Sequence, residues 1–250
     1  MVESLLLTSV PIATYLGDRL LTRATGFFFE RDARLYLVTS RHVVVDAPSA
    51  HFPDRIDITV HLDVRDMTSS IQHSIALYRD GTSTWRQGSD SGGEIDVAVL
   101  EVDRARLPTE TVFVAFSPEH LVRELDEFAV GDPLLIVGFP LGFHDTRHHL
   151  PVVRHAIIAS AFGVRFQGQG CFLTDARTHR GTSGAPVVAK RAADVDTRQG
   201  LPFRLLGVHS SRFDIGTRDR ELDESLGLNS AWYADIVLTL TQDPPRKSSS

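Results

Sequence analysis

Apolar and polar positions alternate over short stretches along this chain, and runs of β-branched residues recur between turn signals, the pattern of many short strands. Thr8 to Leu16 mixes β-branched and apolar residues and stops at Gly17-Asp18. Leu20 to Phe29 continues as a strand broken at Gly26, and Arg31-Asp32-Ala33 turns the chain into Leu35 to Thr39. Ile56 to Val60 and Ile71 to Tyr78 follow, then Asp80-Gly81, a strong hairpin signal. Gln87 to Gly93 is polar and glycine-rich and reads as a loop, ahead of a short buried strand from Asp96 to Leu100. Ser117-Pro118-Glu119 has the form of a helix start, with Ser as cap and Pro at the first position, so a short helix to Phe128 is expected between two halves. Strands resume at Leu134 to Val137, Val152 to Ser160, Cys171 to Leu173, Ala185 to Ala189 and Phe203 to Val208. Ala192 to Gly200 is polar and reads as a loop. Ala231, Ala234, Ile236 and Leu238 recur at roughly helical spacing, which predicts a closing helix over residues 230–241 and a frayed tail over 243–250.

Composition narrows this picture. A chain of 250 residues with 42% hydrophobic content suits one two-barrel unit or two small domains. Thirty-two acidic against 26 basic residues give a net charge of −6 with arginines scattered, which argues against nucleic acid as the main partner. One cysteine, Cys171, excludes an intrachain disulfide, so the fold must stand on packing. Met1 to Leu7 lacks the basic start of a signal peptide, and no apolar stretch reaches membrane-spanning length. The expectation is a cytoplasmic protein with no membrane partner.

Candidate chemistry centres on Arg177-Thr178-His179-Arg180-Gly181-Thr182-Ser183-Gly184-Ala185-Pro186. A serine hydroxyl is a poor nucleophile at its free pKa and needs a base beside it, with backbone N–H groups aimed at the developing oxyanion. Gly181 and Ser183 can supply those N–H groups. Taken alone, the stretch reads equally well as a glycine-rich turn. The base candidate is His42, delivered by a strand that ends in small and polar residues, Thr39-Ser40. The orienting carboxylate candidate is Asp96, which opens an apolar strand where an unpaired carboxylate would be costly.

The order His42, Asp96, Ser183 is that of the chymotrypsin type. The segments T-S-R-H-V, D-V-A-V-L and G-T-S-G-A-P resemble that family's T-A-A-H, D-I-A-L-L and G-D-S-G-G-P blocks. Val137 to Gly142 resembles the G-[YF]-P-[LF]-G run of the bacterial HtrA-type branch, and Gly207-Val208-His209-Ser210 is similar to the G-[IV]-x-S segment lining the specificity pocket. The resemblance spans most of residues 20–240. It implies an all-β fold of two six-stranded antiparallel barrels, about residues 5–116 and 129–228, with a C-terminal helix. It also implies a bacterial serine endopeptidase acting on polypeptide substrates with no cofactor and no metal; no PDZ pattern follows the peptidase unit, so an HtrA-like protease domain without PDZ is the expectation. Ser183 would be the nucleophile, His42 the base and Asp96 its orienting acid.

Departures from the family pattern carry information. Thr182 stands where digestive enzymes have an Asp that pairs with a newly cut N-terminus, so activation by that route is not expected. Arg177 stands where enzymes cutting after Lys or Arg carry an acid, and it disfavours basic P1 residues. Thr178 and His209 resemble the pair of branches that cut after Glu or Gln, with Ser210 beside them and Arg177, Arg180 and Arg212 around the mouth; a small apolar P1 is the other reading. Thr182 and Ala185 also leave open a pseudoprotease that binds peptides without turnover, or one switched on by an activating protein partner. His144, His148 and His149 have no recognised metal-site spacing and read as a solvated loop near the cleft.

Overall fold

The computed structural model describes residues 2–191, 200–214 and 225–243. The first half contains strands β1 (Ser9–Leu16), β2 (Arg19–Arg31), β3 (Arg34–Thr39), β4 (Arg55–His61), β5 (Ser70–Ala76), β6 (Tyr78–Arg79), β7 (Thr82–Ser83), β8 (Trp85–Asp90) and β9 (Gly93–Val102), with a one-turn helix α1 (Arg41–Val44) between β3 and β4. The second half contains β10 (Pro133–Gly138), β11 (Val152–Ile158), β12 (Cys171–Asp175), β13 (Pro186–Lys190), β14 (Phe203–Asp214), β15 (Ser225–Tyr233) and the closing helix α2 (Ile236–Thr241).

The protein is mainly β, as the sequence predicts. The second half is a closed six-stranded barrel, in the order β10-β11-β12-β15-β14-β13. The first half departs from the expected six-stranded barrel. It is an open seven-stranded sheet, ordered β5-β4-β1-β2-β3-β9-β8. Closure would need the edge strands β5 and β8 to pair, but the β6–β7 hairpin separates them. Thr84 spans the gap, its N–H donating to Leu77 C=O at 2.9 Å and its hydroxyl to Ala76 C=O at 2.7 Å.

Three apolar clusters account for the packing. Phe27, Phe28 and Phe29 are all fully buried because β2 is covered on both faces. Phe28 points into the sheet interior with Ile12, Leu37, Ile58 and Leu100. Phe27 and Phe29 point the other way, into a cluster that joins the halves through Val38, Val97, Val137, Val208, Trp232 and Val237. A third cluster, including Ile136, Phe172, Val187 and Leu206, fills the barrel. Burying one such aromatic side chain is worth roughly 1.5–3 kcal/mol, so the shared cluster sets how the halves meet.

Several elements differ from the expected pattern. β2 runs straight through Gly26, where a Cβ would lie 2.8 Å from both Ile12 Cδ1 and Leu37 Cδ1; the glycine makes room for packing and does not break the strand. Gln87 to Asp90 belongs to the edge strand β8 instead of a loop. Polarity misleads there because an edge strand keeps water on one face. The connector holds two single 3-10 turns, Pro118–His120 and Leu125–Glu127, instead of one helix. It leaves helical geometry at Leu121 (φ −69°, ψ 151°), which is buried and bridges to Leu205 of the barrel. β15 continues to Tyr233, so the closing helix starts at Ile236 and not at residue 230. Arg31 and Arg86 cap its last carbonyls, at Leu238 and Leu240, as cations do at helix C-termini. Of the expected tail, Asp243 pairs with Arg34, while residues 244–250 lie outside the described residues, as do 192–199 of the loop expected over Ala192 to Gly200.

Candidate active site

The base and acid candidates come from the open sheet. β3 ends at Thr39, whose hydroxyl donates to Thr25 C=O at 2.8 Å, and Ser40 follows, donating its hydroxyl to His209 C=O at 3.1 Å. These bonds fix the start of α1 and present His42 at the rim. Asp96 enters from β9, next to β3 in the sheet. One carboxylate oxygen accepts the His42 backbone N–H at 2.9 Å, and the other lies 2.7 Å from His42 Nδ1. The same second oxygen accepts the Ser210 hydroxyl. Arg41, next to His42, pairs with Glu94 at 2.9 Å and ties α1 to the start of β9.

These contacts set the charges. Burial pushes the Asp96 carboxyl up, but the His42 ring, its charge, the Ser210 hydroxyl and the His42 amide together hold it below the usual carboxylate range. For His42, burial pulls the imidazole down, and the hydrogen bond and charge of Asp96 outweigh it, so its pKa is raised. With Asp96 accepting at Nδ1, the neutral ring carries its proton there and leaves Nε2 as the basic nitrogen.

The nucleophile candidate comes from the barrel, on the loop between β12 and β13. Gly181 and Gly184 adopt φ values of 92° and 85°, a left-handed region in which a side chain would be strained. Thr182 C=O accepts from Ala185 N–H at 2.9 Å, which closes a tight turn around Ser183. The loop is sewn to both halves: Thr25 N–H donates to Ser183 C=O at 3.0 Å, and Gly184 N–H donates to His209 C=O at 2.8 Å. Ser183 Oγ donates to Ser210 C=O at 3.1 Å. His42, Asp96, Ser183 and Ser210 are thereby connected in one cleft. Within the described residues, the N–H groups of Gly181 and Ser183 make no hydrogen bond.

The expected specificity residues separate into three groups. Thr178 and His209 are buried. The Thr178 hydroxyl donates to Asn229 Oδ1, and the Asn229 amide donates to Ala176 C=O at 2.8 Å and Gly227 C=O at 3.1 Å. Asn229 carries no motif and sequence reasoning missed it. Its only signal is an amide side chain inside a strand. Among the described residues His209 Nδ1 has no hydrogen-bond partner, and burial, with the nearby His42, lowers the ring pKa to about 4, so His209 is neutral near pH 7. The Ser210 hydroxyl donates to Asp96, and its C=O accepts from Ser183 Oγ. Arg177 and Arg180 are exposed and make no ion pair among the described residues, while the Arg212 side chain lies outside them.

Two other features lie apart from this cleft. A cavity of about 630 Å³ lies between the connector, the β11–β12 loop and α2, and takes none of His42, Asp96 or Ser183. On the loop after β10, His148 pairs with Asp145 at 2.6 Å and His144 lies 5.7 Å from His149 ring to ring. Among the described residues, no three His, Cys, Asp or Glu side chains group as a metal site. Cys171 opens β12 as a buried thiol. No helix among the described residues is long and apolar enough to cross a membrane.

The chain belongs to the trypsin-like peptidase domain family, whose sequence profile matches residues 24–195. In fold it is similar to an HtrA-type protease, AlgW, solved as a variant with a tripeptide, at 20% identity and a TM-score of 0.54 over 94% of this chain and 58% of that one. It is also similar to the serine endoprotease from Yersinia pestis, at 17% identity and a TM-score of 0.54 over 94% and 61% of the two chains. A third similar structure is the active form of the Rv3671c protease from M. tuberculosis, at 17% identity and a TM-score of 0.51, over 94% of this chain and 79% of that one. This chain thus spans about three fifths of the first two. No curated protein matches it by sequence.

Proposed function

We propose that the protein is a serine endopeptidase in which Ser183, His42 and Asp96 form the catalytic triad. The observation that carries this reading is the doubly bonded Asp96–His42 pair in the cleft that also holds Ser183. In the resting state Ser183 Oγ faces Ser210 C=O. Turnover requires the hydroxyl to leave Ser210 C=O for His42 Nε2, which takes the proton as Oγ attacks the scissile carbonyl carbon. The carbonyl oxygen becomes an oxyanion held by the free N–H groups of Gly181 and Ser183. Asp96 remains ionised and stabilises the imidazolium. His42 then gives the proton to the leaving amine, and water repeats the sequence to release the acid and restore Ser183.

For P1, the proposal is Glu or Gln read by His209, with Thr178 beside it, its hydroxyl proton already given to Asn229 Oδ1. Support comes from the unpartnered His209 Nδ1, which a P1 oxygen or amide would satisfy. A neutral His209 recognises its ligand by hydrogen bonding and not by ion pairing. A P1-scanning peptide library tests both levels. Cleavage lost in Ser183→Ala, with Glu or Gln preferred and that preference lost in His209→Ala, is the expected result. Preference for Val, Ala or Leu unaffected by His209→Ala removes the P1 reading.

A second reading has its own observation. Ser183 Oγ is engaged with Ser210 C=O instead of His42, as it would be in a peptide-binding pseudoprotease or in an enzyme awaiting an activating partner. Absence of any Ser183-dependent cleavage across the library would favour it.

A further inference from the structure

Thr25 lies in β2, is fully buried and belongs to none of the sequence motifs that mark the cleft. Its hydroxyl accepts the Phe139 N–H at 3.0 Å and donates to Gly181 C=O at 2.8 Å. A threonine hydroxyl has a single proton, and with Phe139 occupying a lone pair that proton is committed to Gly181. The peptide on the other side of Gly181 is held as well, because Arg180 C=O accepts the Leu141 N–H at 2.5 Å. In a planar trans peptide the N–H points opposite to the C=O. Holding Arg180 C=O against the turn after β10 therefore aims the Gly181 N–H away from that turn and into the cleft. There is no slack in this arrangement, since a Cβ on Gly181 would lie 2.6 Å from Phe139 O and 2.9 Å from Leu141 N.

We propose that Thr25 is a positioning residue of the oxyanion hole: its hydroxyl clamps the peptide after Gly181 while Leu141 N–H clamps the one before, which fixes the Gly181 donor for the transition state. This inference rests on the peptidase reading above. It assigns a role in turnover to a side chain of the open sheet that touches neither substrate nor reacting atoms.

Thr25→Val replaces the hydroxyl by a methyl of similar size, and Thr25→Ser keeps the hydroxyl. With a peptide ester substrate, Thr25→Val lowers kcat about 10- to 100-fold with KM within about twofold, short of the 10²–10³-fold loss that follows outright removal of an oxyanion donor. Thr25→Ser restores kcat to within about threefold of wild type. The affinity for a peptide aldehyde, whose adduct places an oxyanion in the hole, falls alongside kcat. The affinity for the matching peptide alcohol does not. A melting curve for each variant separates this from loss of fold. If Thr25→Val does not fold, Gly138→Ala takes its place, since its methyl would lie 2.8 Å from Thr25 Oγ1 and push the hydroxyl aside. A folded Thr25→Val, or in its place a folded Gly138→Ala, with kcat within twofold of wild type and unchanged aldehyde affinity overturns the inference while leaving the peptidase reading intact. A wild-type protein that neither turns over the ester nor binds the aldehyde overturns the peptidase reading, and this inference with it.

Discussion

The open sheet and the closed barrel divide the labour of the cleft unequally. The sheet builds the proposed acid–base pair: His42 follows β3, Asp96 sits on the adjacent β9, and two hydrogen bonds join them. The barrel contributes a loop whose geometry comes from glycines at positive φ and from bonds reaching into the sheet. The pair is made within one sheet, and the barrel steadies it at two points, through Ser40 on His209 C=O and the Ser210 hydroxyl on Asp96. The proposed nucleophile and oxyanion donors are held in register with it by bridges between the halves through Thr25, Ser40 and Ser210. The apolar cluster around Phe27 and Trp232 sets the coarse docking, and these polar bridges set the fine position.

The largest expected effect breaks the two sides together. Ser183→Ala or His42→Ala should each lower kcat by about six orders of magnitude, and the double variant should be no worse, because the residues act as a unit. Asp96→Asn should cost about four orders. Steady-state turnover of a cleavable peptide checks all four, and additive losses would show that the sheet and the barrel do not act as one site. Ser210→Ala tests the bridge itself. Removing its hydrogen bond to the ionised Asp96 should lower kcat roughly tenfold, within the range for charge-assisted bonds.

pH separates the two histidines. His42 must be neutral to act as base, and its pKa is raised, so kcat/KM should climb with pH through an apparent pKa above 6.5. Its contribution to stability has the matching sign, full below 6.5 and lost as pH rises through the raised value. His209, on the barrel side, behaves oppositely. Its folded pKa of about 4 lies below the ordinary 6.5, so its contribution is present above 6.5 and lost as pH falls from 6.5 to 4. The full difference is about 3 kcal/mol. Denaturant melts at pH 4.5 and 7 should show a weaker pH dependence in His209→Gln than in wild type.

Legibility in the sequence followed the same division. His42, Asp96 and Ser183 could be picked out as candidates because each lies in a short segment whose residue types serve one chemistry, and the fold brings them to one cleft. The Asp80-Gly81 hairpin was legible for a similar reason, since both residues take positive φ there, 51° and 75°. Other features had no local signature. β8 hid as a polar loop because an edge strand half-covered by α2 needs few apolar residues. The roughly helical spacing of Ala231, Ala234, Ile236 and Leu238 imitated one helix across what is the end of a strand and the start of a short helix. Thr25 is an ordinary strand threonine until folding brings Gly181 and Phe139 to it from more than a hundred residues away. The open edge between β5 and β8 depends on which strands meet in space, which strand periodicity does not encode.

The most direct measurement is labelling by a fluorophosphonate, which reacts only with a serine activated by its base and oriented beside an oxyanion hole. Peptide mass mapping of the treated protein should place one adduct on Ser183, with none in Ser183→Ala and strongly slowed labelling in His42→Ala. Labelling that persists unchanged in His42→Ala, or an untouched Ser183 in the folded wild type, would contradict the assignment of this cleft as a serine peptidase site.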